Sequence, residues 1–305
     1  MVEIAIVKEF KKLESILDIF CQENKLSEER TKQRFQTFKN KFEKEDFIYF
    51  LLTVDGISKG FLSCEITETI IRTHVLFVEK CEENDDLICQ LIINVSKQLE
   101  SFEKELFQIF FVFSLKLEEK LVTNGFNVYQ RVKMVYDLKE NQIPEYNLAE
   151  DYQLSNFTID KLDEELQVVV DTFKNTIDRE IFQQFSNLDV LRDFFYRSNM
   201  DSDRLRIDSP IILKNGKIVG VNIVINLSDT DSYIWIIALL PDHRGKGLGK
   251  YLMLKSHENC KQAKVDKMVL DVTIANTAAF TLYTNLGYKE IYRYLTVTKK
   301  YNSSS

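Results

Sequence analysis

Proline and glycine are scarce in this chain, three and nine among 305 residues. So little of either argues against long flexible linkers and low-complexity tracts. Cysteine occurs five times (Cys21, Cys64, Cys81, Cys89 and Cys260), an odd number with no C-x-x-C pair. That pattern speaks against a disulfide framework or a zinc cluster and for buried, reduced thiols. The three histidines, His74, His243 and His257, are scattered. They give little material for a metal site or a Ser-His-Asp triad, so no metal is expected. Long hydrophobic runs are also missing. The most apolar stretches, Phe47 to Thr53 and Ile109 to Ser114, fall far short of the ~20 residues a membrane helix needs. There is no charged-then-apolar N-terminal segment with a small-residue cleavage site. These absences lead us to expect a soluble, cytoplasmic protein with no membrane partner.

The chain has the length of two domains of about 150 residues each, and its hydrophobic content of 45% suffices for a core in both. Its net charge of −7 resides entirely in residues 1–150, since acids and bases balance over 151–305. A nucleic-acid partner needs a basic face and is disfavoured. The acidic excess is compatible with a cationic amine substrate, but a plain solvated surface is the simpler explanation. Oligomeric state is not readable from the sequence.

With so few glycines, their spacing is informative. Asp55-Gly56-x-x-x-Gly60 recurs about 160 residues later as Asn215-Gly216-x-x-x-Gly220, both between apolar runs. Asp-Gly and Asn-Gly in that setting are strong hairpin signals, because both residues tolerate positive φ. Asn124-Gly125-Phe126 recurs at nearly the same offset as Leu286-Gly287-Tyr288, each closing a helical pattern ahead of a β-rich tail. The element order also repeats: strand, two helices, hairpin, strand, helix, strand, helix, β-rich end. In the second copy the helices are expected at Lys161–Phe173, Arg179–Phe195, Gly247–Lys264 and Thr277–Leu286. The chain therefore reads as a tandem duplication, with its junction near Asn141–Glu150, around Pro144.

The remaining glycines, Gly245, Gly247 and Gly249, lie in Pro241-Asp-His-Arg-Gly-Lys-Gly-Leu-Gly-Lys-Tyr-Leu-Met253. Upstream, Tyr233 to Leu240 is a near-continuous apolar run that reads as a strand buried on both faces. Downstream, Leu248, Leu252, Met253, Ser256, Cys260 and Ala263 form one small or apolar helix side. Strand, glycine-rich turn and helix together aim several backbone N–H groups and a helix dipole at one spot, which suits a pyrophosphate. Arg244, Lys246 and Lys250 add positive charge. An isolated pattern of this kind can also be a bare surface turn; it is neither a Walker A loop nor a dinucleotide fingerprint.

The run Leu239 to Leu252 resembles the acetyl-CoA motif [RQ]-x-x-G-x-[GA] of the GNAT superfamily of N-acetyltransferases, matched by Arg244, Gly247 and Gly249. Asn276-x-x-Ala279-x-x-Leu282-Tyr283-x-x-x-Gly287-Tyr288 is similar, without a gap, to a second segment of that family. The resemblance covers about 150 residues in detail and, through the repeat, extends weakly to the rest. It implies an α/β (α+β) chain of two GNAT-like domains, each a mixed, mostly antiparallel sheet flanked by helices. Residues 1–140 would be a degenerate domain without a cofactor site, and 151–301 the catalytic N-acetyltransferase domain.

The resemblance further implies roles for individual residues. Leu239 and Leu240 would hydrogen-bond the pantetheine arm through their backbone, as if to an added strand. Backbone amides of Arg244, Gly245, Lys246, Gly247, Leu248, Gly249 and Lys250 would cradle the pyrophosphate. Asn276 would bond the pantetheine amides, though it also suits a helix N-cap. Tyr283 would sit near the thioester sulfur as a proton donor, or pack as a helix-face aromatic. Asp271 matches a position where some relatives carry a general base; read from the sequence, a strand-surface carboxylate with no catalytic duty is the reading to prefer, and a water chain can take the base's place.

At the repeat offset from Arg244–Gly249 lies Asn84-Asp-Asp-Leu-Ile-Cys89, preceded by Glu82 and Glu83. Carboxylates there would repel a pyrophosphate. The positions matching Asn276 and Tyr283 fall near Ser114 and Leu121. The expected function is acetyl transfer from acetyl-CoA, as co-substrate, to the primary amine of a small molecule, by direct attack in a ternary complex. The alternative is a non-catalytic acetyl-CoA-binding or interaction module on the same tandem fold.

Overall fold

The structure, a computed structural model, describes residues 1–174, 176–199, 205–206 and 208–301. The chain divides into two compact units, Met1–Gln130 with Tyr294–Ser305, and Arg131–Arg293.

In the first copy of the repeat the elements are β1 (Val2–Ile6), α1 (Glu14–Glu23), α2 (Glu28–Phe42), β2 (Phe47–Val54), β3 (Ile57–Ile66), β4 (Ile70–Val78), α3 (Asn84–Leu99), β5 (Leu106–Val112), α4 (Glu118–Thr123) and β6 (Asn127–Asp137). The second copy has β7 (Gln153–Asn156), α5 (Leu162–Phe173), α6 (Asp178–Ile181), α7 (Leu188–Asn199), β8 (Pro210–Lys214), β9 (Lys217–Asn226), β10 (Asp231–Leu239), α8 (Leu248–Gln262), β11 (Lys267–Thr273), α9 (Thr277–Leu286) and β12 (Lys289–Lys300).

Within the first unit β1 to β4 are antiparallel neighbours and β5 runs parallel to β4. Within the second, β7 to β10 are antiparallel neighbours and β11 runs parallel to β10. The single parallel ladder is short in both. It joins Ile70, Ile71 and Arg72 to Leu106, Phe107 and Gln108 in one unit, and Asp231, Ser232 and Tyr233 to Lys267, Met268 and Val269 in the other. The offset between these two ladders is constant at every position, so the repeat seen in the glycines extends to strand register. The hairpins repeat as well: Asp55 and Asn215 both have φ of 51°, and Gly56 and Gly216 follow at 79° and 75°. Two consecutive positive φ values make the type I′ turn that matches strand twist.

Each sheet buries both faces under helices. In the second unit α5 and α7 cover one face through Leu166, Val169, Leu191 and Phe195 against Ile223 and Ile236. Helices α8 and α9 cover the other through Met253, Cys260 and Tyr283 against Leu270 and Val272. Burial of this kind contributes about 25 cal/mol per Å² of apolar surface removed from water and dominates the stability of such a layered sheet.

The compact units cut across the two copies of the repeat, because the last strand of each copy lies with strands of the other copy. The end of β12 pairs antiparallel with β5, from Leu295↔Val112 to Lys300↔Leu106. Residues Arg131 to Asp137 of β6 pair with β11, from Thr273↔Arg131 to Lys267↔Asp137. The single helix expected over Arg179–Phe195 is broken. Phe182 leaves the helical region at φ −116°, ψ 72°. The Asn187 carboxamide oxygen then accepts from the N–H groups of Asp189 and Val190 at 2.8 and 3.2 Å, starting α7 afresh.

Candidate acetyl-CoA site

The apolar run Tyr233–Leu240 forms β10, and its two edges behave differently. Along β9 the ladder continues to Leu239↔Gly220, with a bulge between Ile234 and Ile236 that admits Trp235 as an extra residue. Along β11 the described ladder ends at Tyr233↔Val269, while β11 itself continues to Thr273. The two parallel strands therefore part. Leu240 donates its N–H to the Val219 carbonyl at 3.0 Å and accepts from the His243 N–H at 3.0 Å. Peptide groups alternate sides along an antiparallel pair, so Leu239 and Ile237 turn theirs toward the gap between β10 and β11. Of the two leucines singled out from sequence, Leu239 turns its peptide to the gap, where its carbonyl accepts from Arg244, and Leu240 bonds within the fold; Ile237, not singled out from sequence, also faces the gap.

The gap leads to the glycine loop. After a single 3₁₀ turn at Pro241–His243, Gly245 and Gly247 adopt φ of 74° and 77°, a region where a side chain is strained. Gly247 is the N-cap of α8, and the Tyr251 N–H makes the first helical bond back to it at 3.0 Å. The N–H groups of Leu248, Gly249 and Lys250 thus precede the helical ladder and aim outward, with the helix dipole behind them. Leu248 and Leu252 anchor the turn in a cluster with Tyr152, Ile212 and Val219. Backbone donors in a loop of glycines, at the start of a helix of four turns, fit a pyrophosphate.

The basic residues take different parts. Arg244 donates from Nε to the Leu239 carbonyl at 3.1 Å and from Nη2 to the Thr172 carbonyl at 3.2 Å, bracing the loop against β10 and α5. Lys246 donates to the Asp242 carbonyl at 3.0 Å. The Lys250 ammonium lies 5.1 Å from the centre of the Tyr146 ring. His243 Nδ1 is 3.0 Å from the Tyr152 hydroxyl, and burial, then Lys246 and Lys214, lower its pKa from the usual imidazole value.

At the far end of β11 the Asn276 side chain caps α9, its oxygen accepting from the Ala279 N–H at 3.3 Å. Its Nδ2 donates to Asp178 Oδ2 at 2.7 Å, and Thr273 Oγ1 donates to Asp178 Oδ1 at 2.6 Å. Asp178 is buried and was not singled out from the sequence. Tyr283 on α9 is 5% exposed. Burial, then the Asp178 carboxylate, raise its phenol pKa well above the ordinary value, with Arg131 acting in the opposite sense. Its ring packs 5.8 Å from that of Tyr288, whose hydroxyl lies 2.9 Å from Nε2 of the buried His257.

Asp271 points to the sheet face opposite α8 and α9. It accepts from the Tyr233 hydroxyl at 3.1 Å and pairs with Lys133 at 3.3 Å, its side chain only 5% exposed. Arg131 donates from Nη2 to the Asp271 carbonyl at 3.2 Å and lies 4.9 Å from the centre of the Phe182 ring. Asp178, Asp271, Arg131, Lys133 and Tyr233 thus gather buried charge and hydroxyl groups at the mouth of the gap. Two carboxylates face two cations there.

The corresponding stretch of the first unit is built otherwise. Helix α3 begins after Glu83 at φ −92°, without a left-handed glycine, and carries Asp85 and Asp86 in its first turn. Leu121, at the position matching Tyr283, is a fully buried core residue.

Residues 175–288 match the family model for the acetyltransferase (GNAT) family. The solved structure of a tandem GNAT protein from the clavulanic acid biosynthesis pathway superposes with a TM-score of 0.60 over 100% of both chains, at 12% identity. This chain has the GNAT acetyltransferase fold in tandem. A GCN5-related N-acetyltransferase from Sphaerobacter thermophilus gives a TM-score of 0.69 at 14% identity, covering 99% of this chain and 98% of that one. At such identities the likeness is one of fold. Among curated proteins, the [ribosomal protein bS18]-alanine N-acetyltransferase of Haemophilus influenzae is 32% identical over 80 residues, 26% of this chain. The matched region spans about half of that relative, 53%. Among the described residues no group of three or more His, Cys, Asp or Glu side chains could hold a metal ion. No described helix is long and apolar enough to cross a membrane.

Proposed function

We propose that the chain transfers acetyl from acetyl-CoA to the primary amine of a small molecule, by direct attack in a ternary complex, and that its second repeat holds the single CoA site. The observation that carries this reading is the parting of β10 from β11 directly ahead of a glycine loop whose amides precede the helical ladder of α8. Leu239 and Ile237 offer strand-like backbone bonds along the gap, and Gly245 to Lys250 offer phosphate donors at its end. Bound acetyl-CoA would supply an acetyl group activated as a thioester.

The protein's own residues do the rest. Tyr283, its proton held tightly by burial, serves as a hydrogen-bond donor toward charge developing at the leaving sulfur. Asn276 is committed to capping α9 and to Asp178, so its part is to position Tyr283 and the end of β11. Asp271, neutralised by Lys133 and Tyr233, shapes the acceptor pocket and is a poorer candidate for general base than its sequence position suggested. The tandem arrangement shared with a protein of the clavulanic acid biosynthesis pathway supports a small-molecule acceptor. The alanine N-acetyltransferase likeness adds N-terminal amines to the panel worth assaying.

Calorimetric titration with CoA is expected to give one site per chain. Binding should change the fluorescence of Trp235, the sole tryptophan, which lies on β10 among Phe185, Phe194 and Phe195. A stoichiometry near two would refute the single-site assignment. CoA binding without amine-dependent thiol release across a broad panel would leave an acetyl-CoA-binding module in place of an enzyme.

A further inference from the structure

The segment between β6 and β7 has no regular structure, yet it is fastened to the glycine loop. Tyr152 is buried and bonds His243, and Leu148 packs on the cluster of Leu248 and Leu252. Between those anchors and Pro144 the segment carries Tyr146 to Gly247. A β-carbon at Gly247 would collide with the Tyr146 hydroxyl oxygen, so that oxygen rests directly against the Gly247 α-carbon. The Tyr146 ring is held from outside by the Lys250 ammonium at 5.1 Å and by the Tyr251 ring at 6.3 Å. Its hydroxyl has no hydrogen-bond partner among the described residues.

We propose that Tyr146 completes the phosphate cradle, donating its phenolic hydrogen to a phosphate of CoA. The inference rests on the CoA reading of the loop and adds to it a residue that lies outside both family motifs. Three features point the same way. The hydroxyl is an unspent donor placed beside a row of backbone N–H groups, where a phosphate oxygen can accept from both. The lysine over the ring keeps the phenol in place and adds charge of the sign a phosphate favours. The segment is anchored on each side of Tyr146, by Ile143 against the α8–α9 cluster and by Leu148 and Tyr152, so the donor is positioned before the ligand arrives and little ordering entropy is spent on binding. Gly247 then has two reasons to lack a side chain: its left-handed φ and the contact with Tyr146.

The test is calorimetry on the full chain and on Tyr146→Phe, which keeps the ring and its contact with Lys250. A charge-assisted hydrogen bond of ordinary strength predicts that CoA affinity falls about tenfold in the variant. Affinity for pantetheine, which has no phosphate, should not change, nor should the thermal midpoint. Dephospho-CoA assigns the phosphate: an equal loss places the bond on the pyrophosphate, and no loss places it on the 3′-phosphate. Unchanged CoA affinity in Tyr146→Phe overturns the proposal. Tighter binding also overturns it, making Tyr146 an obstruction over the loop. A wild-type chain that binds no CoA sinks the site reading, and this inference with it.

Discussion

Replacing Tyr283 by Phe removes one oxygen from the centre of the proposed chemistry and leaves the packing intact. The ring stays between α9 and the sheet, 5.8 Å from that of Tyr288. The hydroxyl has no hydrogen-bond partner among the described residues, so its loss strands no buried donor or acceptor. Stability should therefore stay within about 1 kcal/mol of the parent. The effect on rate follows from the direction of the phenol's pKa. Burial first, and Asp178 next, push it above the ordinary tyrosine value. A departing CoA thiolate has a conjugate pKa of roughly 8.5. Full proton transfer from a weaker acid to that sulfur is uphill, so the phenol helps chiefly by hydrogen bonding to the charge as it develops. A hydrogen bond to a charged group contributes about 1.5–3 kcal/mol. At about 1.4 kcal/mol per decade, kcat should fall roughly 10- to 100-fold. Steady-state kinetics on the true acceptor, with CoA affinity measured separately, provides the assay. Because the folded phenol keeps its proton well into the alkaline range, no loss of kcat attributable to its ionisation should appear near neutral pH. An unchanged kcat in Tyr283→Phe, with the acceptor saturating, would show that Tyr283 is a packing residue and that the proton comes from elsewhere.

Gly247→Asp should abolish CoA binding, by placing a carboxylate where phosphate is expected; the left-handed φ of 77° also costs a non-glycine residue about 1–2 kcal/mol, so a modest drop in thermal midpoint accompanies it. Undiminished CoA affinity in that variant would reduce the loop to a turn. Glu165 on α5 is fully buried, accepts from the Thr158 N–H at 3.1 Å, and has its pKa raised from 4.5 to about 7, chiefly by burial. Because the folded pKa lies above the unfolded one, its stabilising contribution is complete below about pH 4.5 and is lost as pH rises through about 7, a swing on the order of 3 kcal/mol. Glu165→Gln should flatten that part of the pH dependence in urea unfolding between about pH 5 and about pH 8; identical profiles for parent and variant would refute the assignment.

What the sequence displayed and what it hid follow from how each feature is encoded. Helix α9 and the two hairpins were legible to the residue or nearly so, because Asn276, Asp55-Gly56 and Asn215-Gly216 act on the backbone within three or four positions. The exchange of β6 and β12 was not. Side-chain patterning along a strand specifies which residues face the core; it says nothing about which neighbour completes the ladder. The break at Phe182 was hidden for a related reason, since the apolar spacing of Arg179–Phe195 satisfies either one helix or two with a cap at Asn187. The same division runs through the site. The proposed phosphate recognition would draw on consecutive backbone amides, which need a local pattern of glycines, and Gly245, Gly247 and Gly249 supply one. Contributions from side chains far away in sequence leave no such trace: Asp178 meets Thr273 and Asn276, and Tyr146 meets Gly247, only because the sheet and its preceding segment bring them together. In the proposed function the acceptor would be recognised by side chains of that second kind, gathered from β6, β10, β11 and α6, so chains with the same glycine motif could differ in the acceptor they take. Within this chain, Asp178, Asp271, Arg131 and Lys133 are where such differences would be written. Two acids set against two bases at the mouth of the gap favour an acceptor that carries a polar or charged group beside its amine, over one that is purely apolar.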